Sequence, residues 1–253
     1  MFSILCSPNS MLLNTSAVIV QTIPPTDSLL IYLKFLQSDI SSNTILKNWG
    51  SSSNATLSLT TAITCNSGLT SINGTNAISY ATYAGNPSSY IMLPSMITSL
   101  NSSYTMMLWM KINRPTAKYT DLMLWTYNNS YGGALILEID NTGMFCISGP
   151  ANKIITDTSQ NFRTYNTWVH VCAVYTFNAT TTPTSFYLNG IFKKSIIQGA
   201  GAETTLARSG YIGCATWGVV GTDIAEIYGS VRGVRVYNRA LTATEINACY
   251  KND

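Results

Sequence analysis

The sequence predicts an all-β protein, a sandwich of two antiparallel sheets with one short helix at its carboxyl end. Short runs of β-branched and aromatic residues alternate with clusters of Ser, Thr, Asn and Gly, which is typical of sandwiches and jelly rolls. Asn189-Gly190 lies between two apolar runs and is a strong hairpin signal, because both residues tolerate positive φ. Helical periodicity is confined to the last residues, so we expect the helix there.

The first convincing strand begins at Leu29, and the residues before it mix apolar side chains with Ser, Thr and Pro. We therefore divide the chain into an amino-terminal arm, residues 1–28, and a sandwich domain, residues 29–253. An arm this apolar is expected to lie on a surface, either of its own sandwich or of a neighbouring subunit.

Two internal segments and the carboxyl end carry the clearest local patterns. Residues 102–112 and 166–177 place apolar side chains on both faces of a strand, so we expect both strands to be central and covered on both sides. Thr242 is followed three residues later by Glu245, the pattern of a capping box at a helix start. The residues expected to pin this helix to the sandwich are Leu241, Ile246 and Tyr250.

Charged residues make up only 10% of the chain, and the net charge is +3, whereas roughly 25% charged residues is usual. A surface this poor in charge suits packing or adhesion. Lys and Arg do not occur in runs interleaved with aromatic residues, so nucleic acid is not an expected partner. Arg232, Arg235 and Arg239 are predicted to be solvated on a strand edge, with an anion site as the alternative.

The amino-terminal residues do not resemble a secretion signal. The first basic residue is Lys34, whereas a signal peptide needs positive charge before its apolar stretch. Residues 11–20 are too short and polar to span a bilayer, which takes about 20 residues. We expect a soluble protein, or one incorporated in a large particle, without a membrane span.

The 6 cysteines lie far apart and form no C-x-x-C pair, so a structural zinc site is not expected. Cys146 and Cys172 lie within apolar strands, where a free cysteine behaves as a small buried hydrophobic residue. We interpret the cysteines as reduced thiols, with disulfides as the alternative, and we expect no cofactor.

The order and spacing of these motifs from about residue 29 to 250 resemble the laminin-G-like branch of the concanavalin A-like lectin/glucanase superfamily. The most specific part is the ending "VRVYNRALTATEI". The earlier parts are "SYIMLPSMITSLNSSYTMMLWMKI", "LILEIDNTGMFCI", "TWVHVCAVY", "SFYLNGIFKKS" and "YIGC". The resemblance implies a concanavalin A-like jelly roll of two antiparallel sheets, each of six or seven strands, one of them concave.

The resemblance also bears on two single residues. A Trp-x-His-Val strand is a structural hallmark of this family, so His170 is expected to be structural and not a catalytic base. Relatives that bind calcium use acids and carbonyls near the first strands, where this chain offers Asp39 and Asn43. Many relatives carry an acid near the position of Arg232, and the chain is poor in acids, so we expect no metal and interpret Asp39 as a turn residue.

The stretch "LEIDNTG" indicates whether the chain has the acids needed for sugar hydrolysis. In the related glucanases this strand reads Glu-x-Asp-x-Glu, and the last Glu protonates the leaving group. Here Glu138 and Asp140 are followed by Asn, Thr and Gly, and an amide or a hydroxyl is no general acid. Leu137 and Ile139 are expected to face the core, with both acids outward beside a turn. The sequence therefore predicts a protein that is not an enzyme.

Two functions remain, with hydrolysis a third alternative that needs acids distant in sequence to meet on the concave face. The first is a non-catalytic structural or assembly protein that contacts other subunits through residues 1–28, as a capsid or virion surface component of a large DNA virus would. The second is a carbohydrate-binding or host-attachment module, with glycans as partners. The candidate sugar-binding residues are Trp125, Tyr127, Asn129, Tyr131 and Trp217; burial between the sheets is the competing interpretation of Trp125.

Overall fold

A computed structural model of the chain describes residues 23–42, 45–52, 55–59, 63–64, 78–80, 89–94, 102–112, 120–127, 130–139, 145–148, 154–157, 166–177, 182–198, 210–213 and 229–253, several of the strands by their backbone alone. The strands are β1 Leu29–Leu33, β2 Ile40–Ser42, β3 Ile45–Leu46, β4 Ala55–Leu59, β5 Ile63–Thr64, β6 Ile78–Tyr80, β7 Ser89–Leu93, β8 Tyr104–Ile112, β9 Thr120–Tyr127, β10 Ser130–Ile139, β11 Phe145–Ser148, β12 Ile154–Asp157, β13 Val169–Tyr175, β14 Thr182–Leu188, β15 Ile191–Gln198, β16 Gly210–Ile212 and β17 Gly229–Tyr237. A 3₁₀ turn, Gln37–Asp39, precedes β2, and the helix α1 is Ala243–Asn252.

The described strands form two antiparallel sheets. One has eight strands in the order β15-β14-β13-β8-β17-β6-β5, with β1 also paired to β17, and the other has nine in the order β12-β11-β10-β9-β16-β7-β4-β3-β2. The predicted all-β sandwich with a carboxyl-terminal helix is confirmed. Each sheet has more strands than the expected six or seven, because strands of two or three residues, such as β3 and β5, are too short to recognise from sequence.

The strand β8 lies inside the eight-stranded sheet and is buried on both faces, as predicted. On one face Met106, Leu108 and Met110 belong to the main core between the sheets. On the other face Met107 belongs to a second cluster, which also contains Ile246 of α1. The helix therefore covers the outer face of this sheet. β8 is apolar on both faces because one face packs in the core between the sheets and the other packs under the helix.

The hairpin between β14 and β15 turns at the predicted dipeptide. Asn189 and Gly190 have φ values of 51° and 74°, and the strands pair from Leu188 and Ile191 onward. The Asn189 side chain accepts a hydrogen bond of 3.0 Å from the backbone N–H of His170. The turn is thus tied to β13 as well as to its own strands.

The helix α1 begins with the predicted capping box: Thr242 accepts from the backbone of Glu245, and the Glu245 carboxylate accepts from the backbone of Thr242. Arg239 donates to both carboxylate oxygens of Glu245, at 3.1 and 2.7 Å. Hydrogen bonds from Arg239 lower the pKa of Glu245 to about 2, although partial burial opposes the shift. Leu241 and Ile246 are buried, and the Tyr250 ring stacks on Trp109 at 5.3 Å, as expected.

The last residues of the predicted arm contact the sandwich. The carbonyl of Pro25 accepts from the Tyr237 hydroxyl at 3.0 Å, and Asp27 pairs with Arg239 at 2.8 Å. Ile23, in contrast, is 83% exposed. The division of the chain at residue 28 stays a prediction, since residues 1–22 lie outside the described residues.

The prediction of solvated arginines on an edge is wrong for Arg232 and Arg235, which are 1% and 3% exposed. β17 is an interior strand of its sheet and α1 covers its outer face, so neither side chain reaches solvent. The guanidinium of Arg232 lies 4.7 Å from the Trp109 ring and 4.8 Å from the Trp168 ring. Arg239 is partly exposed and ion-paired.

Arg235 forms a buried ion pair with Asp253 and lies 4.2 Å from the centroid of the Tyr32 ring. Burial acts most strongly and lowers the pKa of Arg235, but the combined charges of Asp253, Tyr32, Cys249 and Tyr237 outweigh burial and raise the pKa above its ordinary value. The guanidinium is therefore charged inside the fold.

Candidate functional site

The five predicted sugar-binding residues stay a prediction. Trp125 and Tyr127 lie in β9 and Tyr131 lies in β10, and the backbone register pairs Trp125 with Leu135 and Tyr127 with Ser130. The fold thus brings three of the five to neighbouring strands of the nine-stranded sheet, where the structure describes the backbone alone. Asn129 and Trp217 lie outside the described residues.

The stretch "LEIDNTG" follows the predicted pattern where the structure describes it. Leu137 and Ile139 are buried in the core between the sheets. The register places Glu138 opposite Asp121 on one side and opposite Cys146 on the other. Asp140 lies outside the described residues, so the absence of catalysis stays a prediction.

Asp39 has the predicted role of a turn residue. It is 2% exposed, and one of its carboxylate oxygens accepts from the backbone N–H of Leu36 at 3.1 Å. Both oxygens also lie 3.1 Å from the indole nitrogen of Trp49. Within the described part of the chain, no group of three His, Cys, Asp or Glu side chains could hold a metal ion.

The bond from Asp39 fixes an aromatic side chain that is not among the predicted sugar-binding residues. Trp49 is 42% exposed, yet its indole N–H is held by the buried carboxylate and its backbone N–H donates to the carbonyl of Tyr32 at 3.0 Å. An exposed indole usually has rotational freedom at the side chain. Here the indole N–H contact with Asp39 fixes the ring, and the backbone hydrogen bond fixes the main chain that carries it.

The backbone around Trp49 is held against β1 by Asn48, which is buried. The Asn48 side-chain oxygen accepts from Tyr32 and Gly50, and its amide donates to the carbonyl of Leu30 at 2.9 Å. A Cβ added to Gly50 would lie 2.4 Å from that same carbonyl oxygen, so a side chain at Gly50 would push the segment off β1. Residues 47–52 are therefore locked along the strand.

Two lysines flank the exposed ring. The ammonium nitrogen of Lys47 lies 3.6 Å from the centroid of the Trp49 ring, and that of Lys34 lies 4.0 Å from it. Neither lysine forms an ion pair with a carboxylate in the described ranges. We call Trp49, Lys34 and Lys47 together the Trp49 platform.

The platform is continuous with the buried ion pair behind it. Lys34 also lies 5.1 Å from the Tyr32 ring, and Arg235 lies 4.2 Å from the same ring. The Tyr32 hydroxyl donates to Asp253 at 3.0 Å. Burial, and then the charge of Asp253, raises the pKa of Tyr32, so its hydroxyl stays a donor. The inner side of the platform is thereby anchored to the fold.

His170 is structural, as predicted. It is fully buried, and its ring lies 5.4 Å from the Trp109 ring and 5.8 Å from the Tyr250 ring. Burial, with a contribution from the nearby arginines, lowers the pKa of His170 to about 3. The imidazole is therefore neutral at physiological pH and has no path to a substrate in solvent.

Two cysteines are described with their side chains. Cys172 and Cys249 are free and buried in the cluster under α1, as the prediction of reduced thiols requires. Burial raises the pKa of both thiols, so neither is a reactive nucleophile.

Comparison with known families identifies the fold. The sequence profile of a laminin G family, described as the concanavalin A-like lectin/glucanases superfamily, matches residues 84–247. The chain belongs to this superfamily. The resemblance noted in the sequence is thus confirmed. The Trp49 platform precedes the matched residues. A comparison with curated proteins finds no match.

Several solved structures share the superfamily's fold with this chain. The receptor binding domain of botulinum neurotoxin C/D mosaic serotype has a TM-score of 0.62 at 14% identity, covering 90% of this chain and 52% of its own. The binding domain of Paraclostridial Mosquitocidal Protein 1 has a TM-score of 0.61 at 15% identity, covering 89% and 52%. Trypanosoma rangeli sialidase in complex with sialic acid has a TM-score of 0.63 at 15% identity, covering 90% and 33%. This chain spans about half the length of the two toxin domains and a third of the sialidase, and identities this low show the fold alone.

Trp49 is not among the predicted sugar-binding residues, although its sequence context carries a signal. Trp217 precedes a glycine in "CATWG", and Trp49 also precedes a glycine, in "KNWGSSS". The lysines at 34 and 47 gave no such signal, since only the packing of residues 47–52 on β1 brings them to one ring.

Among the described residues, no helix is long and apolar enough to cross a membrane.

Proposed function

We propose that this protein is a non-catalytic carbohydrate-binding module and that the Trp49 platform is its binding surface. The observation that carries the proposal is the Trp49 ring, which is 42% exposed although Asp39 holds its indole N–H in place. This rigid, exposed ring belongs to neither of the two buried core clusters. It is the arrangement that a ligand with an apolar face requires.

A sugar ring supplies such a face. Its C–H bonds point outward with partial positive charge, and the face of an indole carries the negative part of its quadrupole. Because Trp49 is already oriented, binding costs little side-chain entropy. The lectin-like fold and the similar structures, which include a toxin receptor-binding domain and a sialidase in complex with sialic acid, support the same class of function.

The absence of hydrolysis is part of the proposal. After Glu138 and Asp140, the sequence lacks the last Glu of the glucanase pattern, which is the proton donor of the related glucanases. A binding module requires no such group.

A glycan array with three variants tests this function. Wild-type protein should bind at least one glycan, and Trp49→Ala should weaken that binding at least about tenfold, since a stacked, oriented aromatic is a typical hot spot. Phe192→Ala is the matched control, because Phe192 is also an exposed aromatic, at 51%, but lies on β15. Trp217→Ala tests the other candidate patch.

Two results would contradict the proposed function or the proposed site. If no glycan binds, carbohydrate binding is refuted. If Trp217→Ala abolishes binding and Trp49→Ala leaves it unchanged, the function stands and the site lies at the other patch.

A second proposal concerns assembly through residues 1–28, the role that a virion or capsid component would need. The supporting observation is that Pro25 and Asp27 are tied to the sandwich whereas Ile23 is exposed. Deleting residues 1–22 leaves those anchors in place and should convert an oligomer to a monomer in light scattering. An unchanged mass would refute this role.

A further inference from the structure

We propose that the Trp49 platform binds anionic glycans, with Trp49 stacking on a sugar ring while Lys34 and Lys47 bind its carboxylate or sulfate group. This proposal rests on the carbohydrate-binding function proposed above and names the ligand class for the same site.

The charges around the ring support an anionic ligand. The carboxylate beside the ring belongs to Asp39, and its oxygens already accept hydrogen bonds from Trp49 and the Leu36 backbone. Neither Lys34 nor Lys47 pairs with Asp39 or with any other carboxylate of the described part. Two ammonium groups thus lie within 4.0 Å of one ring centroid without a counter-charge from the described residues.

The position of the ammonium groups gives a physical reason for selectivity. Without a ligand they lie against the Trp49 ring, at 3.6 and 4.0 Å from its centroid, where the quadrupole attracts them. A neutral sugar that stacks on the ring must displace them and offers no charge in return. An anionic sugar replaces each lost cation–aromatic contact with an ion pair.

The side chains can make this exchange. Lys47 is exposed and Lys34 is half-buried, and a lysine carries its charge on a flexible stem of four carbons. The ring and its anchor stay fixed while the ammonium groups move to the anion. Because an ammonium is a point charge and makes no bidentate fork, the site should accept a carboxylate or a sulfate.

Nucleic acid and anionic membranes fit the platform less well. Both present many phosphates, and proteins that bind them carry extended basic patches. Here the platform has two lysines and the whole chain has a net charge of only +3. A short glycan with one anionic group beside a stackable ring matches its size and charge.

The test measures affinity for matched probes by isothermal titration and biolayer interferometry. The probes are 3′-sialyllactose for a carboxylate, a sulfated heparin-derived tetrasaccharide for a sulfate, and lactose and desulfated tetrasaccharide as neutral counterparts. We expect at least one anionic probe to bind about tenfold or more tightly than its neutral counterpart, with affinity that falls as salt rises.

Substitutions of lysines test whether the Trp49 platform causes the tighter binding of anionic probes. Lys34→Gln/Lys47→Gln should reduce binding of the anionic probe about tenfold and leave binding of the neutral probe unchanged or stronger. Lys193→Gln/Lys194→Gln, on exposed positions of β15, makes the same change in net charge and should have no effect. Circular dichroism of each variant should match wild type. Lys34→Gln/Lys47→Gln loses two cation–aromatic contacts and should unfold at a slightly lower temperature, whereas Lys193→Gln/Lys194→Gln should not.

The outcomes separate this proposal from the function on which it rests. Equal binding of neutral and anionic probes, or an unaffected Lys34/Lys47 double variant, refutes anionic selectivity and leaves carbohydrate binding intact. Binding of no glycan refutes both. Binding to phosphatidylserine vesicles or to single-stranded RNA, but to no oligosaccharide, also refutes both and identifies the other ligand class.

Discussion

The buried pair of Arg235 and Asp253 allows a quantitative test of how α1 is held on the sandwich. Their side chains are 4% and 0% exposed, and the Asp253 carboxylate also accepts from the Tyr32 hydroxyl. The substitution Asp253→Asn keeps the size of the side chain and an acceptor for Tyr32 but removes the negative charge. The guanidinium is then left buried without a counter-ion.

The expected cost follows from the burial of the pair. Removing one partner of a fully buried ion pair typically costs about 3–5 kcal/mol, because the remaining charge keeps its desolvation penalty and loses its attraction. For a chain of this size each kcal/mol lowers Tm by about 2–4 °C. We expect Asp253→Asn to lower Tm by about 6–20 °C.

Calorimetry at pH 7 measures this effect, with two controls. Asp27→Asn breaks an ion pair of Arg239 at a carboxylate whose side chain is 69% exposed, so it should cost about 1 kcal/mol or less. Replacing both buried partners, by Arg235→Met with Asp253→Leu, should restore most of the lost stability. A Tm within about 2 °C of wild type for Asp253→Asn would refute the reasoning.

Three further predictions concern the Trp49 platform and the helix start. Asp39→Asn should weaken glycan binding by roughly threefold to tenfold, because one amide oxygen cannot replace two carboxylate oxygens as acceptors. Titration of the glycan into a variant whose circular dichroism spectrum matches wild type checks this. Gly50→Ala should destabilise the fold by about 1–3 kcal/mol in urea unfolding, because its Cβ would lie 2.4 Å from the Leu30 carbonyl oxygen. Arg239 holds the pKa of Glu245 down to about 2, so the ionised carboxylate contributes stability that is present above the unfolded value near pH 4.5 and is lost as pH falls toward 2. Glu245→Gln should remove this pH dependence, which is about 1 kcal/mol after solvent screening. Unfolding curves measured between pH 7 and 2.5 check this.

Each of these has an outcome that contradicts it. Unchanged affinity in Asp39→Asn would mean that the carboxylate does not position the Trp49 ring. Wild-type stability of Gly50→Ala would mean that residues 47–52 do not need their close approach to β1. An identical loss of stability with acid in wild type and Glu245→Gln would assign that loss to other carboxylates.

Features that depend on neighbouring residues were predictable. The Asn189-Gly190 turn and the Thr242–Glu245 capping box are set by backbone preferences and by hydrogen bonds that span three residues at most. The burial of both faces of β8 followed from its apolar pattern, since no solvated strand tolerates that pattern. The superfamily followed from the spacing of such motifs along most of the chain.

Arg232 and Arg235 show where local reasoning failed. Two-residue spacing of charges indicates a solvated face only if nothing covers that face. In this fold α1 and the end of the chain cover it, and Asp253 supplies the counter-charge. The charge of a side chain was visible in the sequence, but its environment was not.

By itself the sequence determined the fold class, the turns, the helix start and the superfamily, because these depend on residues close along the chain and on a regular alternation of apolar positions. Only the tertiary structure decided which charges are buried and which aromatic residue is both exposed and fixed. Lys34, Lys47 and Trp49 become neighbours because Asn48 ties residues 47–52 to β1. Contacts of that kind depend on a few hydrogen bonds between segments that no periodic pattern connects.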